Sequence, residues 1–232
     1  MREIVLDTET TGFEPAEGHR LVEIGCVELL NHMPTGRTFH QYINPERDMP
    51  AEAFAVHGLS EDFLRPQPVF AKVADAFLRF VQGARLVIHN AAFDMRFLNA
   101  ELEWAKKPLL PTDGVIDTLM IARRRFPGSP ASLDALCRRF GIDNSSRTLH
   151  GALLDSQILA EVYLELIGGR QPDFGLTAAT TTTRRPNPAE TTWRARPRAT
   201  PLPPRLTEAE AEAHSAFVAG MGDKALWRRH DG

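Results

Sequence analysis

The first 168 residues predict an α/β domain, a mixed sheet flanked by helices, and the remainder predicts a flexible tail. Two observations carry the fold class. Short apolar segments of strand character come early, and one more such segment lies between segments of helical period, the pattern of a sheet covered by helices. A third observation sets the boundary. Beyond Gly168 the chain turns rich in proline, threonine and arginine, with too little apolar content to pack.

The elements follow in order. Ile4, Val5 and Leu6 form the apolar part of a first strand that runs through Asp7 and Glu9 into a turn. LVEIGCVELL (21–30) and RTFHQYI (37–43) read as two further strands, separated by a turn around NHMPTG. VFAKVADAFLRFVQG (69–83) places Val69, Val73, Phe77 and Phe80 at helical spacing and stops at Gly83. RLVIH (85–89) is a short buried strand. AAFDMRFLNAELEWA (91–105), VIDTLMIARRRF (115–126), SLDALCRRFG (132–141) and GALLDSQILAEVYLELI (151–167) read as helices. After a linker at 172–205, LTEAEAEAHSAFVAGM (206–221) returns to helical composition. Thr207 is its expected cap, and Glu208 and Glu210 sit in its first turn, where the helix dipole favours acids.

Composition narrows the function classes. The two cysteines, Cys26 and Cys137, stand far apart and outside any CxxC pattern, which argues against a zinc site or a disulfide framework. They fit a reducing cytoplasm. No apolar run approaches the roughly 18–20 residues of a membrane span, and acids at Glu3 and Asp7 break up the N-terminus as a signal peptide. The net charge is −3. Residues 173–232 carry nine Lys and Arg against seven Asp and Glu, so the acidity belongs to the first 172 residues. An acidic core binds a polyanion when cations offset its carboxylates locally.

Four acids stand out. Asp7 and Glu9 are two apart on a strand and share one face, with Thr8 and Thr10 on the other. Asp155 shares a helical stripe with Ala152, Leu159, Val162 and Leu166. Asp94 shares one with Phe97, Leu98 and Leu102. An aspartate on an apolar stripe needs a cap, an ion-pair partner or a metal. Brought together, the four would repel, and hard divalent cations with oxygen ligands, Mg²⁺ or Mn²⁺, are the natural remedy. Two such ions support phosphodiester hydrolysis. His150 lies just before the helix that carries Asp155, and an imidazole, with an unperturbed pKa of about 6.5, is suited to general-base work at neutral pH. Asp117 reads as a helix cap, His89 as shaping the turn into the Asp94 helix, and Arg123, Arg124 and Arg125 as a solvated helix end.

VLDTETTG (5–12), HNAAFD (89–94) and HGALLDSQ (150–157) resemble the three motifs of the DEDDh exonucleases. The resemblance implies a ribonuclease H-like fold. It implies that Asp7, Glu9, Asp94 and Asp155 bind two divalent cations, with Asp7 shared between them, and that His150 is the general base. FAVHGLS (54–60), residues 132–163 and ALWRR (225–229) are similar to the proofreading exonucleases of bacterial replicative polymerases. Carried over, this makes Glu52 and His57, with Asp7 and Glu9, contacts to the terminal nucleotide of a DNA 3′ end. It also implies a polymerase catalytic subunit as partner of residues 206–232 and leaves a small accessory subunit open. QPDFGL (171–176) resembles a bacterial sliding-clamp peptide, with Gln171, Phe174 and Leu176 as anchors. The catalytic set by itself does not separate DNA from RNA as substrate. An RNA-trimming relative and a non-catalytic scaffold are the competing readings.

Overall fold

The computed structural model describes residues 1–145, 147, 149–169 and 206–221. By contacts the chain divides into two units, Met1–Gly175 and Leu176–Gly232. The linker at 172–205, the clamp-like Gln171, Phe174 and Leu176, and the terminal ALWRR lie outside the described residues.

The first unit is built on a mixed sheet, which among the described residues has five strands in the order β3-β2-β1-β4-β5. These are β1 (Arg2–Thr10), β2 (Leu21–Leu30), β3 (Met33–Tyr42), β4 (Arg85–Ile88) and β5 (Ile116–Asp117). The first three pair antiparallel, whereas β4 runs parallel to β1 and β5 parallel to β4. The helices are α1 (Ala51–His57), α2 (Glu61–Leu64), α3 (Phe70–Val81), α4 (Ala91–Trp104), α5 (Thr118–Arg125), α6 (Leu133–Phe140) and α7 (Ala152–Leu166).

Strand alternation sends each face of β1 to a different layer. Ile4 and Leu6 pack with Phe70, Phe77, Phe97 and Leu98 of α3 and α4. Val5 packs with Val87 and with Leu159, Ala160 and Tyr163 of α7. A third cluster joins α5, α6 and α7 through Ala122, Leu136, Cys137, Ile158 and Val162. Both cysteines are buried free thiols.

Three sequence expectations need correction. The turn between β2 and β3 is confined to Asn31 and His32, both at positive φ (50° and 66°), and the strand resumes at Met33. Two residues in the left-handed region give the tight hairpin that matches strand twist, so Pro34, Thr35 and Gly36 are not needed for the turn. The helix expected from residue 115 starts at Thr118, because Ile116 and Asp117 hydrogen-bond as an edge strand against Val87 and Ile88. Asp117 caps α5, accepting from the amides of Leu119 and Met120. The short helices α1 and α2 were not legible, since neither holds enough turns to show a period.

The second unit contains α8 (Glu208–Gly220), capped as expected. The Thr207 hydroxyl accepts from the Glu210 amide, and the Glu210 carboxylate accepts from the Thr207 amide, a complete capping box. None of its residues is buried. Across the described residues no helix is long and apolar enough to cross a membrane.

Candidate active site

Parallel pairing of β1 and β4 puts their C-terminal ends side by side, the position where open α/β sheets place their ligands. Asp7 and Glu9 lie on the last turns of pleat in β1, and Asp94 lies in the first turn of α4, which follows β4. Asp94 approaches from the α4 layer. The Thr8 hydroxyl, on the opposite face of β1 from Asp7, donates to Asp94 Oδ1 at 2.7 Å and fixes its carboxylate.

Asp155 arrives from the other layer through a close helix–sheet contact. Gly25 is the β2 partner of Asp7, and a Cβ there would fall 2.2 Å from the backbone of Ala152 and Leu153. The Ser156 hydroxyl donates to the Gly25 carbonyl at 2.9 Å. Only glycine lets the N-terminus of α7 rest on the sheet at this point, and that contact carries Asp155 to the Asp7 side. Gly25→Ala is therefore expected to push α7 off the sheet, lowering the melting temperature and cutting nuclease turnover. A variant with wild-type melting and turnover would show that the contact does not position Asp155.

Repulsion between their charges links the four acids. Burial pushes the Asp7 carboxyl well above the usual range, and the charges of Asp94, Glu9 and Asp155 push it further. Burial, with Asp155, Glu23 and Asp94 adding to it, raises Glu9 to about 8. Burial also raises Asp94 to about 7, against the lowering effect of the Thr8 hydrogen bond. Burial with like charges close by is the recipe for carboxyls that hold protons near neutrality. Glu9, His150 and Asp155 each offer a ligand atom within 4.8 Å of the others, so an oxygen-rich set with one imidazole is in place for a hard divalent cation.

A pH dependence follows. Glu9 and Asp94 have folded-state values raised above their ordinary ones, so their stability contribution is present below about pH 4 and is lost as pH rises through about 7 to 8. Cations bind the deprotonated forms, and binding releases protons. Calorimetry with Mn²⁺ in buffers of different ionisation enthalpy is expected to show proton release near neutral pH, with affinity rising toward about pH 8. Affinity independent of pH across that window would contradict the assignment.

Cavities flank the cluster on two sides. One of about 380 Å³ is lined by Thr8, Glu9, His19, Glu52, His57 and Phe93, among others. Another of about 440 Å³ is lined by Asp7, Arg123, Asp134, Arg147, His150 and Asp155, among others. A larger, mostly apolar cavity of about 700 Å³ sits by the ends of α3 and β4 and holds none of the four acids.

His57 closes α1 and is 5% exposed. Its Nδ1 accepts from the Leu59 amide at 3.0 Å, which leaves the proton on Nε2. That Nε2 is buried at the wall of the first cavity, beside the Thr10 backbone. Glu52 is exposed on the same helix and lines the same cavity. His89 Nδ1 lies 2.9 Å from the Thr118 hydroxyl and so ties the turn before α4 to α5.

Sequence reasoning missed Arg147. Its guanidinium is 8% exposed and bonds both Asp155 oxygens, Nε to Oδ1 at 2.5 Å and Nη2 to Oδ2 at 2.8 Å. Of the alternatives open for a buried aspartate on an apolar stripe, Asp155 thus has an ion-pair partner. Arg125 is exposed, as expected of a solvated helix end, and it also donates to the carbonyls of Glu165 and Leu166 and caps α7.

Comparison with known proteins decides the family. Residues 4–163 match the exonuclease family model. The DNA polymerase III subunit epsilon of Rickettsia conorii is 58% identical over 177 residues, 75% of this chain and 77% of that protein. That of Escherichia coli K12 is 53% identical over 176 residues, 73% of this chain and 72% of that protein. The chain belongs to the DNA polymerase III epsilon-subunit family. The members of that family are 3′→5′ proofreading exonucleases, a metal-dependent class. Among solved structures, exonuclease X in complex with 5′ overhanging duplex DNA superposes with a TM-score of 0.56 at 25% identity, covering 71% of this chain and 90% of that one. The nuclease domain of 3′hExo, a DEDDh family member bound to rAMP, gives 0.61 at 21% identity, covering 72% and 91%, a likeness of fold. The ribonuclease H-like fold, the mixed sheet flanked by helices, agrees with the expectation from sequence.

Proposed function

We propose that this chain removes mispaired nucleotides from DNA 3′ ends for a replicative polymerase, with Asp7, Glu9, Asp94 and Asp155 holding two Mg²⁺ or Mn²⁺ ions. The observation that carries the reading is the convergence of these acids and His150 between two cavities that a strand end can bridge. When bound, the cations neutralise the carboxylates and stabilise charge on the phosphate and the leaving oxygen.

The residues of the chain do the rest. His57 presents its Nε2–H to the sugar of the terminal nucleotide from the wall of the first cavity. Glu52, with Asp7 and Glu9, completes the wall around that nucleotide. His150, half-exposed beside Asp155, takes the proton of the attacking water on its ring lone pair. The products are a nucleoside 5′-monophosphate and a strand shorter by one. The test is release of mononucleotides from 3′-labelled single strands of DNA and RNA. Faster release from DNA supports the reading, and a clear preference for RNA would move the chain to the RNA-trimming class.

The relatives' name, a polymerase III subunit, supports association with DNA and with a polymerase complex. The tail suits a tether. No residue of α8 is buried and Phe217 is 66% exposed, and an uncovered apolar residue of this kind suits docking on the polymerase catalytic subunit. Gln171, Phe174 and Leu176 are the proposed clamp anchors at the end of the nuclease domain. A protein truncated after Pro172 is expected to keep its activity on free single strands and to lose co-purification with the polymerase subunit. Phe174→Ala in the full chain should lose clamp binding alone. Polymerase association by the truncated protein would refute the tether.

A further inference from the structure

One guanidinium engages two groups that catalysis requires in other roles. Arg147 Nε and Nη2 occupy both oxygens of Asp155, at 2.5 and 2.8 Å. Nη2 also lies 2.8 Å from His150 Nδ1. The same Nη2 is 3.5 Å from Nε2, so the guanidinium lies against the imidazole ring and crowds it. The remaining arm, Nη1, is held at 2.7 Å by Asp134 Oδ1, which also accepts from the Asn144 side-chain amide at 3.0 Å. Asp134 is 45% exposed and lines the same cavity. It keeps hold of Arg147 on the far side of the guanidinium from Asp155.

We propose that Arg147 is a displaceable counter-cation of the active site, a positioning residue that withdraws from Asp155 and His150 when a divalent cation binds. The inference rests on the reading of Asp155 as a metal ligand and His150 as the base. A carboxylate that saturates both oxygens on a guanidinium fork cannot also coordinate a hard cation in full, and two cations at one carboxylate repel. Metal binding therefore works against the ion pair. Asp134 lets the guanidinium leave Asp155 without losing every partner, so a buried charge is never stranded. Withdrawal also clears the guanidinium from the His150 ring.

Titration of the full chain with Mn²⁺ alone, without nucleic acid, tests this by calorimetry. Arg147→Ala is expected to bind Mn²⁺ about tenfold more tightly than wild type or better. Arg147→Lys, which keeps the charge and loses the fork, should fall between the two. In a chelator the melting temperature of Arg147→Ala should drop, because the carboxylates lose their counter-charge. Unchanged or weaker Mn²⁺ binding by Arg147→Ala would overturn the proposal. If that variant does not fold without metal, Asp134→Asn decides. With the outer anchor weakened the guanidinium has less to withdraw to, so Mn²⁺ binding weaker than wild type supports displacement, and unchanged or tighter binding overturns it. Asp155→Ala separates this from the underlying reading. If its Mn²⁺ affinity equals wild type, Asp155 is no ligand and the site assignment fails. If it loses Mn²⁺ while Arg147→Ala gains nothing, only the role of Arg147 fails.

Discussion

Asp7→Ala and Asp155→Ala are each expected to bring release of mononucleotides from a labelled 3′ end down to background, at least about 10³-fold below wild type. That figure corresponds to the loss of roughly 4 kcal/mol of transition-state charge stabilisation, the several kcal/mol that a bound cation supplies. The two substitutions should differ in their effect on stability, and the difference checks the geometry. Asp7 has carboxylates close by on several sides, and burial already pushes its carboxyl well above the usual range. Removing it relieves repulsion, so in a chelator the melting temperature of Asp7→Ala should hold or rise. Asp155 instead pairs with a guanidinium 8% exposed. Removing one partner of such a pair leaves the other charge poorly compensated, which costs about 3–5 kcal/mol when no other partner remains. Asp134 still holds Arg147 at 2.7 Å, so Asp155→Ala should melt lower than wild type by a fraction of that amount. Full activity of Asp7→Ala, or of wild type in excess chelator, would sink the two-metal assignment. Equal melting of the two variants would contradict the pairing.

How far the sequence discloses the site depends on the kind of signal each residue leaves. Asp94 and Asp155 interrupt apolar stripes, a local anomaly that any helix reading exposes. The structure places both where those stripes meet the sheet, 3% and 2% exposed. Asp7 and Glu9 are legible from strand period together with the motif around them. Arg147 leaves no such trace. It stands in a polar segment between helices, where an arginine is ordinary, and only the folded chain brings it to Asp155. Gly25 is hidden for a different reason. A glycine within a strand signals close approach of something, but the approaching backbone, at Ala152 and Leu153, is more than a hundred residues away. The hairpin at Asn31–His32 was misplaced because Pro34 and Gly36 mimic turn chemistry, whereas β2 and β3 pair through Leu30 and Met33. In β5 the two paired residues are too few to carry a period, and the adjacent helix absorbed them.

His150→Ala is expected to cut turnover by about 10²–10⁴, the usual range for loss of a general base, while Mn²⁺ binding is nearly kept. The structure makes this a sharp choice between two roles. Glu9, His150 and Asp155 have ligand atoms within 4.8 Å of one another, so the imidazole is near enough to serve as a ligand. Its exposure argues for the base. The side chain is 48% exposed against 3% for Asp155, which leaves the ring room to turn and reach a water. The chain before it is anchored by the His150 amide, which donates to the Val56 carbonyl at 3.1 Å. That bond ties the histidine to α1, next to His57. A ligand contributes to affinity, whereas a base contributes only once substrate is bound. Calorimetry with Mn²⁺ and single-turnover kinetics on the same His150→Ala preparation therefore separate them. Slow turnover with Mn²⁺ affinity within about threefold of wild type, less than 1 kcal/mol, assigns the base. A fall in affinity that excess Mn²⁺ overcomes, with turnover restored, would make His150 a ligand and require another group to take the proton.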